Sequence, residues 1–136
     1  MHIRNNFNER TVVHPEHYEF IDSPLAGVIR MMLERAGAEV ARDTSIVRYQ
    51  PGSGYSAHTH GGGEEILVLE GTFYDEHGAY PAHSWLRNPK GSTHTPFTRN
   101  DSALIYVKTG HIGAHLMGDR FIHQPCMLVN NDYSLR

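Results

Sequence analysis

The chain lacks most of the features that mark secreted and membrane-bound proteins. Its 136 residues include one cysteine, Cys126, which excludes an internal disulfide and makes a reducing, cytoplasmic setting the expected one. No run approaches the roughly 20 apolar residues that span a bilayer. The first residues also lack the apolar middle of a signal peptide. We therefore expect no contact with a membrane.

Neither sign of charge dominates the chain. Twelve Lys and Arg residues stand against 15 Asp and Glu residues, a net charge of −3 that mainly serves solubility. Because no basic patch is present, we expect no nucleic-acid partner. The length is that of one ordinary domain, and a hydrophobic share of 39% can support one buried core.

Several catalytic signatures are absent as well. The chain has no HExxH motif, no PCxxC pattern of the zinc deaminases and no GxSxG elbow. The run from Gly61 to Glu64 lacks the lysine and the serine or threonine of a phosphate-binding loop. These absences set aside the chemistries that depend on those motifs.

Short strand-like segments make up much of what is present. Glycine and proline recur at close intervals, and between them lie runs rich in β-branched and aromatic residues, at 45–49, 65–74, 84–87 and 103–108. Short strands separated by turn residues are typical of a β-sandwich or barrel.

Three segments depart from the simple alternating pattern of a strand. Residues 27–35 fit either a helix or a strand period, and we expect two strands here, with a hairpin turn at 36–39 leading into a strand at 40–49. The run 66–69 is apolar at every position, which predicts burial on both faces, inside a barrel or under a subunit contact. Residues 118–136 show weak patterning. This tail packs across the barrel, packs against a partner subunit or is loose, and the sequence leaves all three open.

The chain has eleven histidines, and two of them form an HxH pair. On a strand, His58 and His60 point to the same face, so both imidazoles can aim at one point. Glycines 61–63 carry no side chains and allow unusual backbone angles, so they can return Glu64 to that point. A Pro- and Gly-containing turn precedes His94, which can add a third imidazole from across the barrel.

These four side chains predict one divalent metal ion per chain, bound by His58, His60, Glu64 and His94. A set of nitrogen and oxygen ligands suits Zn²⁺, Fe²⁺, Mn²⁺, Ni²⁺ or Cu²⁺ and argues against a thiolate-bound metal. Four protein ligands would close a tetrahedral zinc site but leave two positions open around an octahedral metal. We expect zinc first, with Fe²⁺, Ni²⁺ or Mn²⁺ as alternatives.

The same residues resemble the first motif of the cupin superfamily. That motif consists of a Gly, five residues, HxH, three or four residues, a Glu, six residues and a Gly. Every position is matched in this chain, by Gly52, His58, His60, Glu64 and Gly71. The six-residue gap before the last glycine selects Glu64 rather than Glu65.

The second cupin motif is matched in part. It consists of a Gly, five residues, PxG, two residues, a His, three residues and an Asn. Pro89, Gly91 and His94 fit, whereas His83 stands at the first glycine and Thr98 stands at the final asparagine. The ligand position is therefore retained, and the two departures lie in the flanking loops.

The run 64–97 is similar to the ChrR-type cupin, a domain first met at the C-terminus of ChrR anti-sigma factors, and the likeness covers roughly residues 40–110. A related group includes acetylacetone dioxygenase. The resemblance implies an all-β cupin double-stranded β-helix, or jelly-roll barrel, with extra N-terminal strands. We expect one domain over 1–136, with an N-terminal arm and strands at 1–40, a barrel core at 41–110 and a tail at 111–136.

Two functions follow from the resemblance and the ligand set. The first is a ChrR-like cupin that binds zinc and binds or senses a small molecule. The alternative is a non-haem Fe²⁺ dioxygenase that acts on a small diketone or similar ketone. The chain has no room for the helical sigma-binding domain of a full ChrR protein, so an anti-sigma role is not implied. Cupins of this size commonly pair, and we expect a homodimer.

Other residues are expected near the metal, in the core or at the surface. His83 is either a donor that supports the metal ligands or an ordinary loop histidine, and His77 is expected in a solvated turn formed by residues 75–78. Tyr55, Trp85 and Tyr106 either line a pocket or belong to the core. Surface or subunit contacts are expected for His111, His115 and His123, and Cys126 is expected to be a small buried hydrophobe or an idle thiol.

Overall fold

The computed structural model describes residues 1–37 and 42–112. Regular structure in these ranges is β, apart from one 3₁₀ turn at Pro15–His17, so the all-β expectation is confirmed. No helix among the described residues is long and apolar enough to cross a membrane. His115, His123, Cys126 and part of the expected turn at 36–39 lie outside the described residues. The strands are β1 His2–Ile3, β2 Ile21–Asp22, β3 Val28–Ala36, β4 Arg42–Tyr49, β5 His58–Thr59, β6 Glu64–Glu70, β7 Thr72–Asp75, β8 Gly78–Pro81, β9 Trp85–Asn88, β10 Thr93–His94 and β11 Ala103–Thr109.

Most of these strands form one antiparallel sheet in the order β1-β3-β4-β11-β6-β9, with β2 also paired to β3. Two smaller ladders, β5 with β10 and β7 with β8, complete the described fold. The three N-terminal strands all join the main sheet, as the expectation of extra N-terminal strands requires. The division of residues 1–136 into arm, core and tail stays a prediction.

The ambiguous segment at 27–35 is a strand. From Val28 onward it belongs to β3, which pairs with β4 from Val28 opposite Tyr49 to Ala36 opposite Arg42. Alternate residues of β4 enter the interior, since Val47 and Tyr49 are 8% and 4% exposed. The strand interpretation is therefore confirmed, and tertiary burial of one face decides it.

The core lies on the inner face of the main sheet. Phe73 is 1% exposed, and its ring meets the Tyr49 ring edge-on at 5.4 Å. Burial of such a side chain contributes about 1.5–3 kcal/mol. The other buried residues of this cluster are Val28, Val47, Ile66, Val68, Ala103, Ile105 and Val107.

Within a single chain, the predicted burial of 66–69 holds on one face only, and burial of the other face under a subunit contact stays a prediction. Ile66 and Val68 are 1% and 0% exposed, but Leu67 between them is 37% exposed. An antiparallel sheet can keep one face on the core and the other toward water. Leu67 lies on that outer face, where it is the cross-strand partner of both Tyr106 and Trp85.

Candidate metal centre

Two short strands bring the first pair of predicted ligands together. β5 and β10 are antiparallel, and His94 lies directly opposite His58. His60 follows β5, and its N–H donates to the carbonyl of Ser92 at 2.9 Å, which fixes the chain just beyond the strand. β6 then begins at Glu64. The four predicted side chains therefore come from three neighbouring strand ends.

The glycines between His60 and Glu64 permit a close passage of the backbone. A Cβ on Gly62 would lie 2.6 Å from the Cα of Gly110, closer than real Cβ contacts allow. Gly63 has a φ of +75°, and its added Cβ would lie 2.6 Å from the Ile112 side chain. The predicted role of these glycines, to turn the chain back toward the histidines, matches this geometry.

The four side chains converge on one point. The ring centroids of His58, His60 and His94 lie 4.6, 5.0 and 4.7 Å apart in pairs. One carboxylate oxygen of Glu64, Oε1, lies 3.2 Å from the Nε2 atoms of both His60 and His94. With one ligand atom taken from each residue, all four atoms lie within 4.8 Å of one another.

The donor set fits a divalent metal. His60 and His94 are 3% and 2% exposed, and their buried Nε2 atoms have no hydrogen-bond partner within residues 1–37 and 42–112. Leaving a buried polar atom unpaired costs about 1–3 kcal/mol. A metal about 2.0–2.1 Å from each ligand would set neighbouring ligand atoms about 3.0–3.4 Å apart, which agrees with the 3.2 Å contacts to Glu64.

Hydrogen bonds orient two of these side chains. The Nδ1 of His58 lies 2.9 Å from the carbonyl of Ser56, so Nδ1–H donates and Nε2 is left with a free lone pair. The Nδ2 of Asn88 donates to Oε1 of Glu64 at 3.1 Å. Contacts of this kind fix the tautomer and the direction of a metal ligand.

Asp75 performs the same task for His94. It is 5% exposed, and its Oδ2 accepts from the Nδ1 of His94 at 3.3 Å. Its other oxygen accepts from the Tyr80 hydroxyl at 2.8 Å and from the backbone N–H of His77 at 2.9 Å. The expected solvated turn holds for the exposed His77 and is wrong for Asp75. Strand alternation was the available signal, since Asp75 is two residues beyond the buried Phe73.

The charges around Asp75 favour its ionised form. Burial opposes this, but hydrogen bonds from Tyr80, His77 and His94 outweigh burial and lower the pKa of Asp75. Burial and the bond to Asp75 raise the pKa of Tyr80 to about 12, so its hydroxyl keeps its proton. One oxygen of the Asp75 carboxylate is thus held by two neutral donors, the Tyr80 hydroxyl and the His77 N–H. Its second oxygen accepts a hydrogen bond from His94.

The two buried histidines differ in protonation tendency. Burial lowers the pKa of His60 by more than the neighbouring Glu64 raises it. Burial also lowers the pKa of His94, but Glu64 and Asp75 together outweigh it and raise that pKa. His94 lies between two carboxylates and His60 contacts one, which accounts for the opposite directions. Metal binding requires both imidazoles to be neutral at the ligating nitrogen.

A second acidic group shares His94. Asp75, Glu76 and His94 also offer three ligand atoms within 4.8 Å of one another. Glu76 is exposed, and its Oε1 already accepts from the N–H of Thr95 at 2.9 Å. The Nε2 of His94 faces Glu64, so this group is better explained as support for His94 than as a separate metal site.

A cavity of about 450 Å³ opens onto the metal centre. His58, Glu64 and His94 form part of its lining, and Tyr55 lies beside His58 with the rings 6.0 Å apart. Tyr55 is therefore a pocket residue. The remaining lining residues are Pro24, Leu25, Arg30, Asp43, Ser45, Val47, Tyr49, Ser56, Ala57, Ile66, Phe73, Pro96, Ile105, Val107 and Thr109.

Three other candidates lie away from this cavity. Trp85 is 56% exposed, with the Arg87 guanidinium 4.9 Å from its ring. Tyr106 alternates with the inward-facing Ile105 and Val107 and so points to the outer face. His83 is exposed in the turn before β9. None of these three is among the residues that line the cavity, and their predicted roles near the metal centre stay predictions.

We expect Asp75→Asn to weaken metal binding by about 10–100-fold, the usual effect of losing a carboxylate behind a ligating histidine. The amide keeps the size of the side chain but not its charge, so it holds the His94 Nδ1–H less firmly. Competition with a chromophoric chelator measures the affinity. Glu76→Gln changes the neighbouring exposed carboxylate and should have little effect. Equal losses in the two variants would contradict the orienting role of Asp75.

A family model described as the ChrR cupin-like domain matches residues 8–113. Among solved structures, a chain in the complex of Rhodobacter sphaeroides SigE with the anti-sigma ChrR matches with 24% identity and a TM-score of 0.59. The match covers 71% of this chain and 51% of that one, so this chain spans about half the length of the chain it matches there.

Two further structures show the same fold. An acetylacetone dioxygenase from Acinetobacter johnsonii matches with 19% identity and a TM-score of 0.59, covering 74% of this chain and 72% of that chain. KdgF from Halomonas sp. matches with 16% identity and a TM-score of 0.57, covering 74% and 95%. No curated protein sequence matches significantly. The predicted jelly-roll fold is confirmed by these likenesses.

Proposed function

The chain belongs to the ChrR cupin-like domain family, and on that premise we propose that it binds one zinc ion and binds or senses a small molecule. One observation carries the proposal. The buried Nε2 atoms of His60 and His94 lack hydrogen-bond partners in the described chain and face the same Glu64 oxygen. His58 completes the set at the cavity wall.

The residues around the cavity define what a bound ion would offer a ligand. A divalent metal here would act as a Lewis acid on a ligand oxygen. Its holders would be His58, His60, Glu64 and His94. The neighbouring walls of Ile66, Phe73 and Val107 are apolar, so they favour the carbon skeleton of a ligand over water.

A non-haem Fe²⁺ dioxygenase acting on a small diketone or similar ketone is the second candidate. Four protein ligands leave two positions open around an octahedral ion. The cavity reaches three of the four ligand residues, His58, Glu64 and His94, so a substrate could lie against the ion. The fold likeness to an acetylacetone dioxygenase is compatible with this candidate.

Metal analysis and oxygen uptake distinguish the two functions. The protein would be purified without added metal, and its zinc and iron contents would be measured per chain. Oxygen consumption would then be followed on a panel of small diketones. About one zinc per chain with no oxygen uptake supports the first function. About one iron per chain with diketone-dependent uptake supports the second and overturns the first.

The homodimer remains part of the proposal. Leu67 and Trp85 leave apolar surface exposed on the outer face of the main sheet, at 37% and 56%. A second copy covering this surface would bury it. Sedimentation equilibrium is expected to give twice the chain mass of 15.4 kDa, and a mass near 15.4 kDa at micromolar concentration would contradict the dimer.

A further inference from the structure

The cavity that reaches the metal centre is also lined by a half-buried arginine. Arg30 lies on β3, where it is paired with Val47 of β4, and both residues line the cavity. The Nε atom of Arg30 is buried, and it has no hydrogen-bond partner in the part of the chain that the structure describes. A guanidinium cannot lose its charge in a protein, so a partner of opposite charge has to be sought.

One acidic side chain whose charge interacts with Arg30 is already engaged. Asp43 forms an ion pair with Arg35, and both side chains are largely buried. Burial raises the pKa of Asp43, and the opposing contributions come from Arg35 first, then Thr109, and only then Arg30. Asp43 is thus held mainly by groups other than Arg30. Its presence does not supply the missing hydrogen bond to the Arg30 Nε.

Register places this polar region on the same inner face as the metal centre. Thr109 of β11 is the cross-strand partner of Asp43 on one side and of Glu64 on the other. Adjacent strands lie about 4.8 Å apart, so Asp43 and Glu64 are separated by about 10 Å along this row. Val47, Ile105 and the other apolar lining residues occupy the neighbouring positions of the cavity.

Arg30, the apolar walls of the cavity and the metal centre together select a class of ligand. Arginine offers a carboxylate two parallel N–H donors, and the pair is strongest in an apolar setting. The apolar walls suit a short carbon chain, and the metal centre suits a carbonyl oxygen. We propose that the cavity takes a small keto acid, with its carboxylate on Arg30 and its keto oxygen toward the metal centre. This inference rests on the proposed metal-dependent binding of a small molecule.

Calorimetric titration of zinc-loaded protein tests the pairing. The probes are the keto acids from 4-oxopentanoate to 7-oxooctanoate, each compared with its uncharged amide. The measured quantity is the dissociation constant of the amide divided by that of the acid. In the wild type we expect this ratio to exceed about 10 for the best chain length, and in Arg30→Met we expect it to fall at least about tenfold.

The matched control is Arg48→Met. Arg48 lies on β4 but points outward, where it pairs with Glu70 at 3.3 Å on the surface, so its loss should leave the ratio unchanged. Circular dichroism checks that each variant folds. If Arg30→Met does not fold, Arg30→Lys is used instead, and a smaller fall in the ratio is expected because lysine keeps the charge but lacks the paired donors.

The outcomes separate this inference from the proposed function. Zinc content is measured on every sample. If zinc is bound but the ratio is the same in wild type and Arg30→Met, the metal alone selects the acid and the role of Arg30 is overturned. If no zinc is bound but acid binding still depends on Arg30, the metal function fails while the carboxylate site stands. Failure of every keto acid to bind the zinc-loaded wild type also overturns the inference.

Discussion

Replacing both His58 and His94 with alanine is expected to reduce the bound metal from about one ion per chain to below about 0.1. The two residues are direct cross-strand partners and supply two of the four ligand atoms. Only His60 and Glu64 remain, and two ligands do not hold a divalent ion against water and buffer. Elemental analysis of the purified variant gives the metal content per chain.

The control for this variant replaces two histidines outside the metal centre. His77 and His83 are both exposed, and neither belongs to the four-residue set. A His77→Ala/His83→Ala variant should keep its full metal content. Retention of about one ion per chain in the His58→Ala/His94→Ala variant, with a normal circular dichroism spectrum, would overturn the assignment of the ligands.

Gly71→Ala is expected to destabilise the fold by about 2–5 kcal/mol. Gly71 separates β6 from β7 and has a φ of +72°, a conformation that costs a residue with a side chain about 1–2 kcal/mol. Its added Cβ would also lie 1.9 Å from the carbonyl oxygen of Ser102, a backbone atom just before β11. Relief of that overlap requires the backbone to shift, at a further cost of about 1–3 kcal/mol. Urea denaturation measures the change.

Gly52→Ala is the matched comparison. Gly52 has nearly the same φ, +71°, but no heavy atom lies within 4 Å of an added Cβ there. Its substitution should therefore cost only the backbone strain, about 1–2 kcal/mol. The difference between the two variants isolates the overlap with Ser102. Equal losses of stability would contradict the close approach of β6 and β11 at Gly71.

The metal ligands could be predicted because they depend on short-range pattern. His58 and His60 follow strand alternation, and the three glycines allow Glu64 to return to the same point. In the structure, one ligand atom from each of these three side chains and one from His94 all lie within 4.8 Å of one another. That they bind a metal stays a prediction, which the unpaired Nε2 atoms of His60 and His94 support.

The supporting residues were harder to predict, because their roles depend on contacts between distant segments. Asp75 looked like part of a polar turn, yet it is buried against His94, 19 positions along the chain. Arg30 lay in a segment that fits two periods, so the face on which its guanidinium would lie could not be decided. Both roles follow from register, which short-range pattern does not specify.

The outer face of the main sheet was hard to predict for a related reason. A strand that is apolar at every position does not reveal which face meets the core, and Leu67 is 37% exposed in the single chain. Trp85 and Tyr106 belong to the same outer face as cross-strand partners of Leu67. Aromatic character alone does not distinguish a pocket position from the outer face of a sheet, because that depends on which way the strand alternates.

His83 shows how a departure from a motif can leave geometry intact. It occupies the position where the second cupin motif has a glycine, and it adopts a φ of +77°. Its N–H donates to the carbonyl of Val68 at 2.7 Å, which holds the turn against β6. The backbone therefore keeps the glycine-like conformation at this position although the side chain differs.

The most direct test of the account is anomalous diffraction from crystals grown without a chelator, recorded on both sides of the absorption edge of the metal found by elemental analysis. We expect one peak per chain, about 2.0–2.2 Å from the Nε2 atoms of His58, His60 and His94 and from a Glu64 oxygen. No peak among these atoms, or a strongest peak between Asp75, Glu76 and the Nδ1 of His94, would contradict the account.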